Sequence, residues 1–589
     1  MTTPLSVTAI ARAVAAGTVS AVAVATEALA RCDAYDAVQP QAWIARLPAD
    51  AVLAMAAAVD ARVAAGEAVP LAGVPFAIKD NIDLAGVATT AGCPAFGYMP
   101  EASATVVARL LAAGAVPLGK TNLDQFATGL NGTRSPYGAP ACVFNRAYVS
   151  GGSSSGSAVV VAAGLVGFAL GTDTAGSGRV PAAFNGLVGM KPTRGRWSTR
   201  GLVPACRSLD CITVFAQDVG GAALVDSVVA GFDAGDGYSR ALSDVALGGR
   251  RVGVPLAGQR IWCGDAASAR LYDAALARLE AAGFALVEVD IAPLNAAARL
   301  LYDGPWVAER TAALAELLAR DPGAIDPVVR EIVAAGVGVS GVEVFRGLYR
   351  LAELAQAAAA MWGAVDLLAL PTAPTIYRIA EMRAAPIALN SAFGVYTNFV
   401  NLLDMAAIAL PAGWRDNGTG FGITLIGPAQ SDRALMAAGE AYLGVAAMPA
   451  VPPLDLEGRM ETVTLAVVGA HLEGMPLHWQ LTSRAAKPLG AARTAAAYRL
   501  YAIAESVPPK PALIHDVGGA SIAVELYELE VAAFGSFVAE VPAPLAIGTV
   551  ELDDGRSVKG FVAEPRAIVG AEDITALGGW RAFIAARAG

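Results

Sequence analysis

The chain has 589 residues, of which 55% are hydrophobic and 16% are charged, and its formal net charge is −10. A chain of this length and composition buries more than one hydrophobic core, which excludes intrinsic disorder as its main state. The negative charge argues against nucleic acid or an anionic membrane surface as the main partner.

Local composition argues against secretion and membrane insertion. The first residues lack the basic start of a signal peptide and are typical of an amphipathic helix. The apolar run at 158–170 is too short to span a bilayer, and we expect a buried helix whose last part could become a strand. The cysteines at 32, 93, 142, 206, 211 and 263 are scattered, which is typical of reduced thiols in a cytoplasmic protein. No cofactor is predicted, and no metal site either, because none of the three histidines is near a cysteine.

Short buried strands alternate with helices along most of the chain. Apolar positions at helical spacing predict helices over residues 5–66. Further along, RRVGVPL and ALVEVDI flank the helical stretch SARLYDAALARLEAAG, a pattern typical of a βαβ unit. Other buried strands are predicted in LAGVPFAIKD, AVPLGKTN and VDLLALPTAP. The alternation predicts an α/β fold with a mixed central sheet flanked by helices.

A change in composition predicts a second domain. The proline-rich stretch MPAVPPLDLEG is typical of a linker. After it come strand-like segments, TVTLAVVGA, SIAVELYEL and VKGFVAE, and DDGRS is a good hairpin turn before the last of them. We therefore expect a large domain at 1–445, a linker at 446–460 and a smaller α+β domain at 461–589.

The distribution of histidine limits the possible chemistry. The three histidines, His471, His478 and His515, all lie in the predicted second domain. The large domain cannot hold a Ser-His-Asp or Cys-His site without a histidine from elsewhere. The GxSxG match at 152–156 lacks a preceding hydrophobic strand, so a nucleophile elbow is not predicted. The GxGxxG match at 336–341 follows a helix-like segment, which argues against a dinucleotide site.

Two serine- and glycine-rich loops and one lysine remain as candidates. SGGSSSGSA and GTDTAGSGRVPA flank one apolar segment, and backbone N–H groups in such loops can hold an anion or a developing oxyanion. Lys79 lies in the apolar run VPFAIKD, where desolvation would lower the pKa of its amine and allow it to act as a base. The alternative is a surface ion pair between Lys79 and Asp80 or Asp83.

These segments resemble the amidase signature family over about residues 5–445. The stretch GGSSSGSAVVVAAGLVGFALGTDTAGSGRVPAAFNGLVGMKPT carries the likeness, with GVPFAIKDNID and GAVPLGKTNLDQFATG upstream. The resemblance implies that Lys79 is the base, that Ser153 bridges the proton transfer after a cis peptide, and that Ser177 is the nucleophile. It also implies an oxyanion hole formed by the backbone N–H groups of Thr174, Ala175, Gly176 and Ser177.

Finer features resemble the allophanate hydrolase branch of that family. The AGSGRVPA variant fits this branch, as does a C-terminal extension that resembles a γ-glutamylcyclotransferase-like module. Allophanate is urea bearing a carboxylate, and the branch holds it with a tyrosine and an arginine eight residues apart. Tyr302 and Arg310 have that spacing, and Gly129 is a further predicted substrate contact. The alternative for the Tyr302 and Arg310 pair is an ordinary exposed helix face.

The resemblance implies a second step in the smaller domain. There the N-carboxycarbamate left by the first step would lose CO2, helped by a proton donor at its nitrogen. His471 follows the strand TVTLAVVGA and opens a glycine-containing loop, which favours it over the other histidines. The alternatives are a core histidine and a domain that serves only docking or oligomerisation.

Competing functions stay open at this point. They are hydrolysis of another small amide, a glutaminase-type subunit of a tRNA amidotransferase, and a binding protein without activity. For the leading interpretation the partner is a small-molecule substrate, and the protein is expected to be a homodimer by analogy. Coupling to a urea carboxylase or to enzymes of cyanuric acid and biuret breakdown is also expected.

Overall fold

A computed structural model describes residues 6–445, 449–457, 462–503 and 506–588. The chain divides into two compact units, Met1–Gly458 and Arg459–Gly589. Parts of the predicted linker, residues 446–448 and 458–460, lie outside the described residues, as do residues 1–5, 461, 504–505 and 589 of the predicted domains. The exact linker boundaries therefore stay a prediction.

A mixed sheet forms the centre of the larger unit. Its strands are β1 (Trp43–Arg46), β2 (Pro75–Lys79), β3 (Val116–Thr121), β4 (Phe168–Asp173), β5 (Val188–Lys191), β6 (Cys211–Ala216), β7 (Arg251–Pro255), β8 (Ala285–Val289), β9 (Leu367–Pro371), β10 (Ala406–Trp414) and β11 (Gly420–Gly427). Across the 11-stranded sheet the order is β1-β3-β2-β4-β6-β5-β10-β11-β9-β7-β8. β2 lies parallel to both β3 and β4, whereas β4 and β6 are antiparallel. The predicted mixed sheet is confirmed.

The helices of the larger unit up to residue 281 and after residue 431 contribute to its main apolar core, and those between residues 292 and 402 pack in smaller apolar clusters. In chain order they are α1 (Val7–Ala15), α2 (Ala21–Asp36), α3 (Ala49–Ala64), α4 (Thr105–Ala112), α5 (Ser155–Ala162), α6 (Val180–Phe184), α7 (Val219–Val229), α8 (Ala266–Ala281), α9 (Ala292–Asp303), α10 (Trp306–Arg320), α11 (Pro327–Ala334), α12 (Gly341–Ala359), α13 (Ile379–Ala384), α14 (Ala388–Phe393), α15 (Phe399–Leu402) and α16 (Asp432–Gly444). None of the described helices is both long enough and apolar enough to cross a lipid bilayer.

Most predicted elements of the larger unit are present. β7 and β8 pair in parallel on either side of α8, which confirms the βαβ unit. The helical prediction for residues 5–66 missed β1, which pairs with β3. The run at 158–170 begins as a helix and ends in β4, as the expectation of a strand in its last part allowed, but the helix stops earlier than predicted. α5 ends at Ala162, Gly164 adopts a left-handed φ of 70°, and a fully apolar run fits a buried strand as well as a helix.

The smaller unit combines two sheets with helices around a core of its own. Its elements are β12 (Thr462–Val467), α17 (Trp479–Thr482), β13 (Lys487–Arg493), β14 (Tyr498–Ala502), β15 (Pro511–His515), β16 (Ala523–Glu530), α18 (Val531–Val538), β17 (Leu545–Glu551), β18 (Ser557–Ala563), β19 (Glu572–Asp573) and α19 (Trp580–Ala588). The sheets have the orders β13-β16-β12-β18-β17 and β15-β14-β19. β17 and β18 form the predicted hairpin, closed between Glu551 and Ser557. The α+β class of this unit is as predicted.

The cysteines are free thiols, as predicted. Five of the six are buried, and only Cys263 is exposed.

Candidate active site

Adjacent strands bring the two sequence-predicted loops together. β2 and β4 are parallel neighbours, with Ile78 opposite Leu170, so their carboxyl ends lie at the same edge of the sheet. Lys79 is the last residue of β2. Ser177 lies between the end of β4 and the start of α6, and Ser153 lies just before α5. Lys79 and the loop that carries Ser177 therefore lie at the same edge of the sheet.

The amine of Lys79 forms hydrogen bonds with two hydroxyl groups. Its Nζ lies 2.7 Å from Oγ of Ser153 and 2.6 Å from Oγ1 of Thr172, which belongs to β4. Lys79 and Ser153 are fully buried. The Gly152–Ser153 peptide bond is cis, as the resemblance predicts.

The surroundings of Lys79 favour its neutral form. Burial lowers the pKa of the amine from 10.5 to about 7, although the negative charges of Asp124, Asp210 and Asp173 oppose that shift. A lysine whose pKa is near neutral can accept a proton at the pH of most cells. The amine is therefore suited to be a general base.

The alternative interpretation of Lys79, a surface ion pair with Asp80 or Asp83, is wrong. Asp80 pairs instead with Lys120 at 3.0 Å, and both side chains are fully buried. Asp83 accepts hydrogen bonds from Thr89 and Tyr98.

The hydroxyl of Ser177 does not form the hydrogen bond to Ser153 that the predicted proton transfer requires. Its side chain is buried, with 2% of its surface exposed, and its Oγ donates to the carbonyl oxygen of Gly129 at 3.4 Å. The structure thus joins Lys79 to Ser153 and directs Ser177 towards the predicted substrate contact Gly129. Proton transfer from Ser177 to Ser153 requires the Ser177 hydroxyl to turn away from that carbonyl.

An internal salt bridge shapes the loop that carries Ser177. Arg179 makes two hydrogen bonds of 2.9 Å to the carboxylate of Asp173, and both side chains are fully buried. The same carboxylate accepts from the N–H groups of Gly176 and Gly178 at 3.0 Å. Burial raises the pKa of Asp173, but the Arg179 charge and these hydrogen bonds outweigh it, so the pKa lies below its usual value. The carboxylate stays ionised and fixes the loop through four hydrogen bonds, two from the Arg179 side chain and two from backbone N–H groups.

These bonds bear on the predicted oxyanion hole. The N–H of Gly176 is engaged by Asp173, so it is not directed to a substrate oxygen in this conformation. The N–H groups of Thr174, Ala175 and Ser177 remain the candidates. The Thr174 side chain is held separately by a short hydrogen bond from its hydroxyl to Asp210.

Asp210 is a buried carboxylate beside the oxyanion loop. Besides the Thr174 hydroxyl, it accepts from the N–H groups of Ala205 at 2.8 Å and Cys206 at 3.2 Å. Burial raises the pKa of Asp210 to about 6, against these hydrogen bonds and the charge of Arg310. Asp210 therefore connects the loop before Ser177 with the surroundings of the predicted substrate arginine.

A second buried carboxylate, Asp124, organises the loop that carries Gly129. It accepts from the backbone N–H groups of Asn131, Gly132 and Arg134 at 3.0–3.2 Å. Its backbone N–H donates to the carbonyl oxygen of Ser153 at 3.0 Å. Asp124 thus ties the Gly129 loop to the chain at Ser153.

Tyr302 and Arg310 come from different helices, α9 and α10, and contact each other. The Arg310 guanidinium lies over the Tyr302 ring, 5.3 Å from its centroid, and donates to the Thr128 hydroxyl at 3.1 Å. Only 2% of Arg310 is exposed, so the alternative of an ordinary exposed helix face is wrong for this residue. Tyr302 is half-buried and lines a cavity of about 290 Å³ between α9 and residues 391–398.

In the smaller unit, His471 lines a partly open cavity of about 150 Å³. Gln480, Lys510, Glu540 and Phe561 line the same cavity. His471 is half-buried, and burial lowers the pKa of its ring despite the hydrogen bond to Gln480. The histidine therefore lies at a cavity that a small molecule could fill.

Several of these residues were not predicted from the sequence. Thr172 and Asp124 lie within the segments GTDT and GKTNLDQFATG. Because these segments carry the resemblance, both polar side chains could have been predicted as site residues. Gln480 lies in the C-terminal segment VVGAHLEGMPLHWQL, nine residues after His471, whereas Asp210 lies outside the motifs that carry the resemblance and reaches the site only through the fold. Among the described residues, no group of three or more histidine, cysteine, aspartate or glutamate side chains could hold a metal ion.

Comparisons with known proteins agree with this architecture. A family model described as Amidase matches residues 26–436, and a model described as Allophanate hydrolase C-terminal domain matches residues 463–585. The urea amidolyase of Lachancea kluyveri is 44% identical over 542 residues, which cover 87% of this chain and 30% of that protein. The chain thus spans less than a third of the length of this relative.

Other relatives are closer to this chain in length. One component of the glutamyl-tRNA(Gln) amidotransferase of Chloroflexus aggregans is 36% identical over 474 residues, covering 74% of this chain and 96% of that protein. The solved structure of allophanate hydrolase from Kluyveromyces lactis superposes with a TM-score of 0.67 at 40% identity, covering 96% of this chain and 97% of that one. By the extent of these matches, the chain belongs to the amidase family and joins an amidase unit to an allophanate hydrolase C-terminal domain.

Proposed function

We propose that the protein is an allophanate hydrolase that releases ammonia and CO2 from allophanate by a Ser-Ser-Lys mechanism. The observation that carries the proposal is the buried contact of 2.7 Å between Nζ of Lys79 and Oγ of Ser153, in a unit without histidine. The likeness to the Kluyveromyces lactis allophanate hydrolase along almost the whole chain supports this substrate.

The first reaction is acyl transfer to Ser177. Neutral Lys79 takes the proton of Ser153, and Ser153 takes the proton of Ser177 as its oxygen attacks the terminal amide carbon. Backbone N–H groups of the loop before α6 would stabilise the oxyanion. Reverse transfer protonates the leaving nitrogen, the C–N bond breaks and ammonia departs. Water then repeats the cycle and frees N-carboxycarbamate.

The buried Arg310 supports an anionic substrate. Within the described part of the chain, no carboxylate forms a salt bridge with Arg310, and its Nε has no hydrogen-bond partner. The charges of Asp210 and Glu309 act on Arg310 without forming a direct ion pair, and a bound carboxylate would supply that pair through two parallel hydrogen bonds. Allophanate carries such a carboxylate, whereas simple amides do not.

Steady-state ammonia release from allophanate, malonamate and simple alkyl amides tests the proposal. We expect Ser177→Ala and Lys79→Ala to lower kcat by about a thousandfold or more, and the surface variant Ser227→Ala to leave it unchanged. Arg310→Met should lower kcat/KM for allophanate by about a hundredfold and leave simple amides nearly unaffected. Equal activity of the wild type on neutral amides and allophanate would contradict the assigned substrate.

A second candidate is a glutaminase-type component of an amidotransferase. The 36% identity to the Chloroflexus aggregans amidotransferase component favours it for the larger unit alone. Ammonia release from glutamine at a rate above that from allophanate would support this candidate instead.

For the smaller unit we propose decarboxylation of N-carboxycarbamate with His471 as the proton donor. Loss of CO2 leaves an electron pair on nitrogen, and a histidine can protonate it near neutral pH. Replacing His471 with phenylalanine should preserve the first ammonia and slow CO2 release. Unchanged CO2 release would exclude this role.

The proposal includes the partners and the setting of the enzyme. We propose a cytoplasmic homodimer, coupled to a urea carboxylase or to enzymes of cyanuric acid and biuret breakdown. An exposed apolar face along α12, which includes Val342, Phe345 and Tyr349, supports self-association.

A further inference from the structure

Aromatic rings restrain the imidazole of His471. Its ring stacks on Phe561, with centroids 4.9 Å apart and an angle of 19° between the planes. Phe537 packs against it edge-to-face at 5.2 Å. Phe561 therefore covers one face of the imidazole, and the ring exchanges protons and hydrogen bonds at its edge, where its two nitrogens lie.

One edge nitrogen is already occupied. Nε2 of His471 lies 2.7 Å from Oε1 of Gln480, and the other end of that amide, Nε2 of Gln480, donates to Oε2 of Glu540 at 3.1 Å. An ionised carboxylate can only accept, so it holds the amide with nitrogen towards Glu540 and oxygen towards His471. An amide oxygen also only accepts, so Nε2 of His471 must carry a proton.

Arg484 fixes this arrangement from outside. Its guanidinium pairs with Glu540 at 2.5 Å and donates to the backbone carbonyl oxygen of Gln480 at 3.0 Å. Its Nε donates to Ser536 at 2.8 Å, next to Phe537, which packs on the histidine. The ion pair therefore holds the Glu540 carboxylate in place, and Arg484 connects it to the backbone of Gln480.

From this geometry we infer that Gln480, Glu540 and Arg484 are positioning residues that lock His471 with a proton on Nε2, so that Nδ1 is the nitrogen that exchanges protons with the ligand. The inference rests on the proposed role of the smaller unit. A neutral His471 then has its lone pair on Nδ1, and a protonated His471 donates from Nδ1 while Nε2 stays bonded to Gln480.

The assigned step balances. The C–N bond of N-carboxycarbamate breaks, CO2 leaves, and the bonding electron pair stays on nitrogen. That nitrogen takes the Nδ1 proton of protonated His471, which gives carbamate and neutral His471. Among the residues that the structure describes, the other ionisable groups around the ring are Lys510, His478, Glu540 and Arg484. The cation of Lys510 opposes protonation of His471 in the empty cavity, and a bound dianion would offset that effect.

Nitrogen-15 NMR of histidine-labelled full-length protein tests the lock, because the chain contains only three histidines. In the wild type above the pKa of His471, we expect the signals of the tautomer with its proton on Nε2. Glu540→Gln allows the Gln480 amide to turn over, so the two tautomers should mix and CO2 release should slow about tenfold or more. Gln480→Glu keeps an acceptor at Nε2, so it should preserve the tautomer and move the pH profile of CO2 release upwards.

A matched control separates the lock from general damage. Glu564 has the same exposed fraction as Glu540, 48%, and the same 2.5 Å contact to an arginine, so Glu564→Gln should leave both readouts unchanged. A wild-type His471 protonated on Nδ1, or an unchanged tautomer in Glu540→Gln, overturns the inference. Failure of the proposed function itself is a separate result, namely normal CO2 release by His471→Phe.

Discussion

Lys79 experiences opposing influences on its proton. Full burial disfavours the ammonium form, while the carboxylates of Asp124, Asp210 and Asp173 favour it, and burial has the larger effect. The balance leaves the amine with a pKa of about 7, low enough to act as a base and high enough to bind a proton firmly. Thr172 and Ser153 hold its Nζ, so its direction is fixed as well as its basicity.

The pH profile of ammonia release should report this balance. The base must be neutral, so we expect kcat/KM to rise with pH through about 7 and to level off above it. A variant in which His471, His478 and His515 are all replaced by glutamine should keep the same rising limb, since no histidine lies in the larger unit. Loss of the limb in that variant would assign it to an imidazole and not to Lys79.

The sequence predicts some site residues and not others, for a physical reason. Lys79 and Ser153 lie in dense local patterns, and the structure brings them together as expected. Asp210 lies 36 residues from Thr174, and its hydrogen bond exists only because β4 and β6 are neighbours in the sheet. Local sequence carries no information on such strand pairings. A buried carboxylate of this kind can therefore be recognised as part of the site only from a structure.

At the scale of elements, two loops and one strand end build the site. The loop 124–134 is wound around the carboxylate of Asp124, and the chain at Gly152 passes directly against that carboxylate. The apolar run at 158–170 belongs to this region, because its last residues begin β4, the strand that presents Thr172 to Lys79. The sequence predicted that a helix and a strand follow each other here. It did not predict where the helix ends, because the helical part and the strand part of the run are equally apolar.

Close packing at Gly152 gives a test at this scale. A Cβ at residue 152 would lie 2.2 Å from Oδ2 of Asp124 and 2.5 Å from the backbone nitrogen of Gly132. We therefore expect Gly152→Ala to displace Ser153 and to lower kcat/KM by about a hundredfold or more, with a lower Tm. Gly258→Ala, where a Cβ meets nothing within 4 Å, should change neither quantity. Wild-type kinetics in Gly152→Ala would show that Asp124 does not hold this part of the chain.

The whole molecule consists of two units, each with an apolar core of its own. The change in composition near residue 446 indicated a division of this kind, because a proline-rich stretch without hydrophobic periodicity is typical of a linker. The candidate catalytic residues of the two units also differ. They are serine and lysine in the larger unit and histidine in the smaller one.

Separate cores predict separable activities. A chain ending after Gly458 should fold, and should release the first ammonia with a kcat/KM within about threefold of the full chain. It should lose the accelerated CO2 release, because His471 is absent. Circular dichroism and thermal unfolding measure the first expectation, and paired ammonia and CO2 assays measure the second. An unfolded or inactive truncated chain would mean that the larger unit depends on the smaller one.

The absence of histidine from the larger unit has a consequence for the environment in which the enzyme can work. Imidazole is the side chain that most often captures zinc, copper or nickel in proteins. The proposed centre of this unit consists of an amine and hydroxyls, which compete poorly for such ions. Amide cleavage should therefore tolerate traces of transition metals that would occupy a histidine-based hydrolase, and the smaller unit should be the more sensitive half of the molecule.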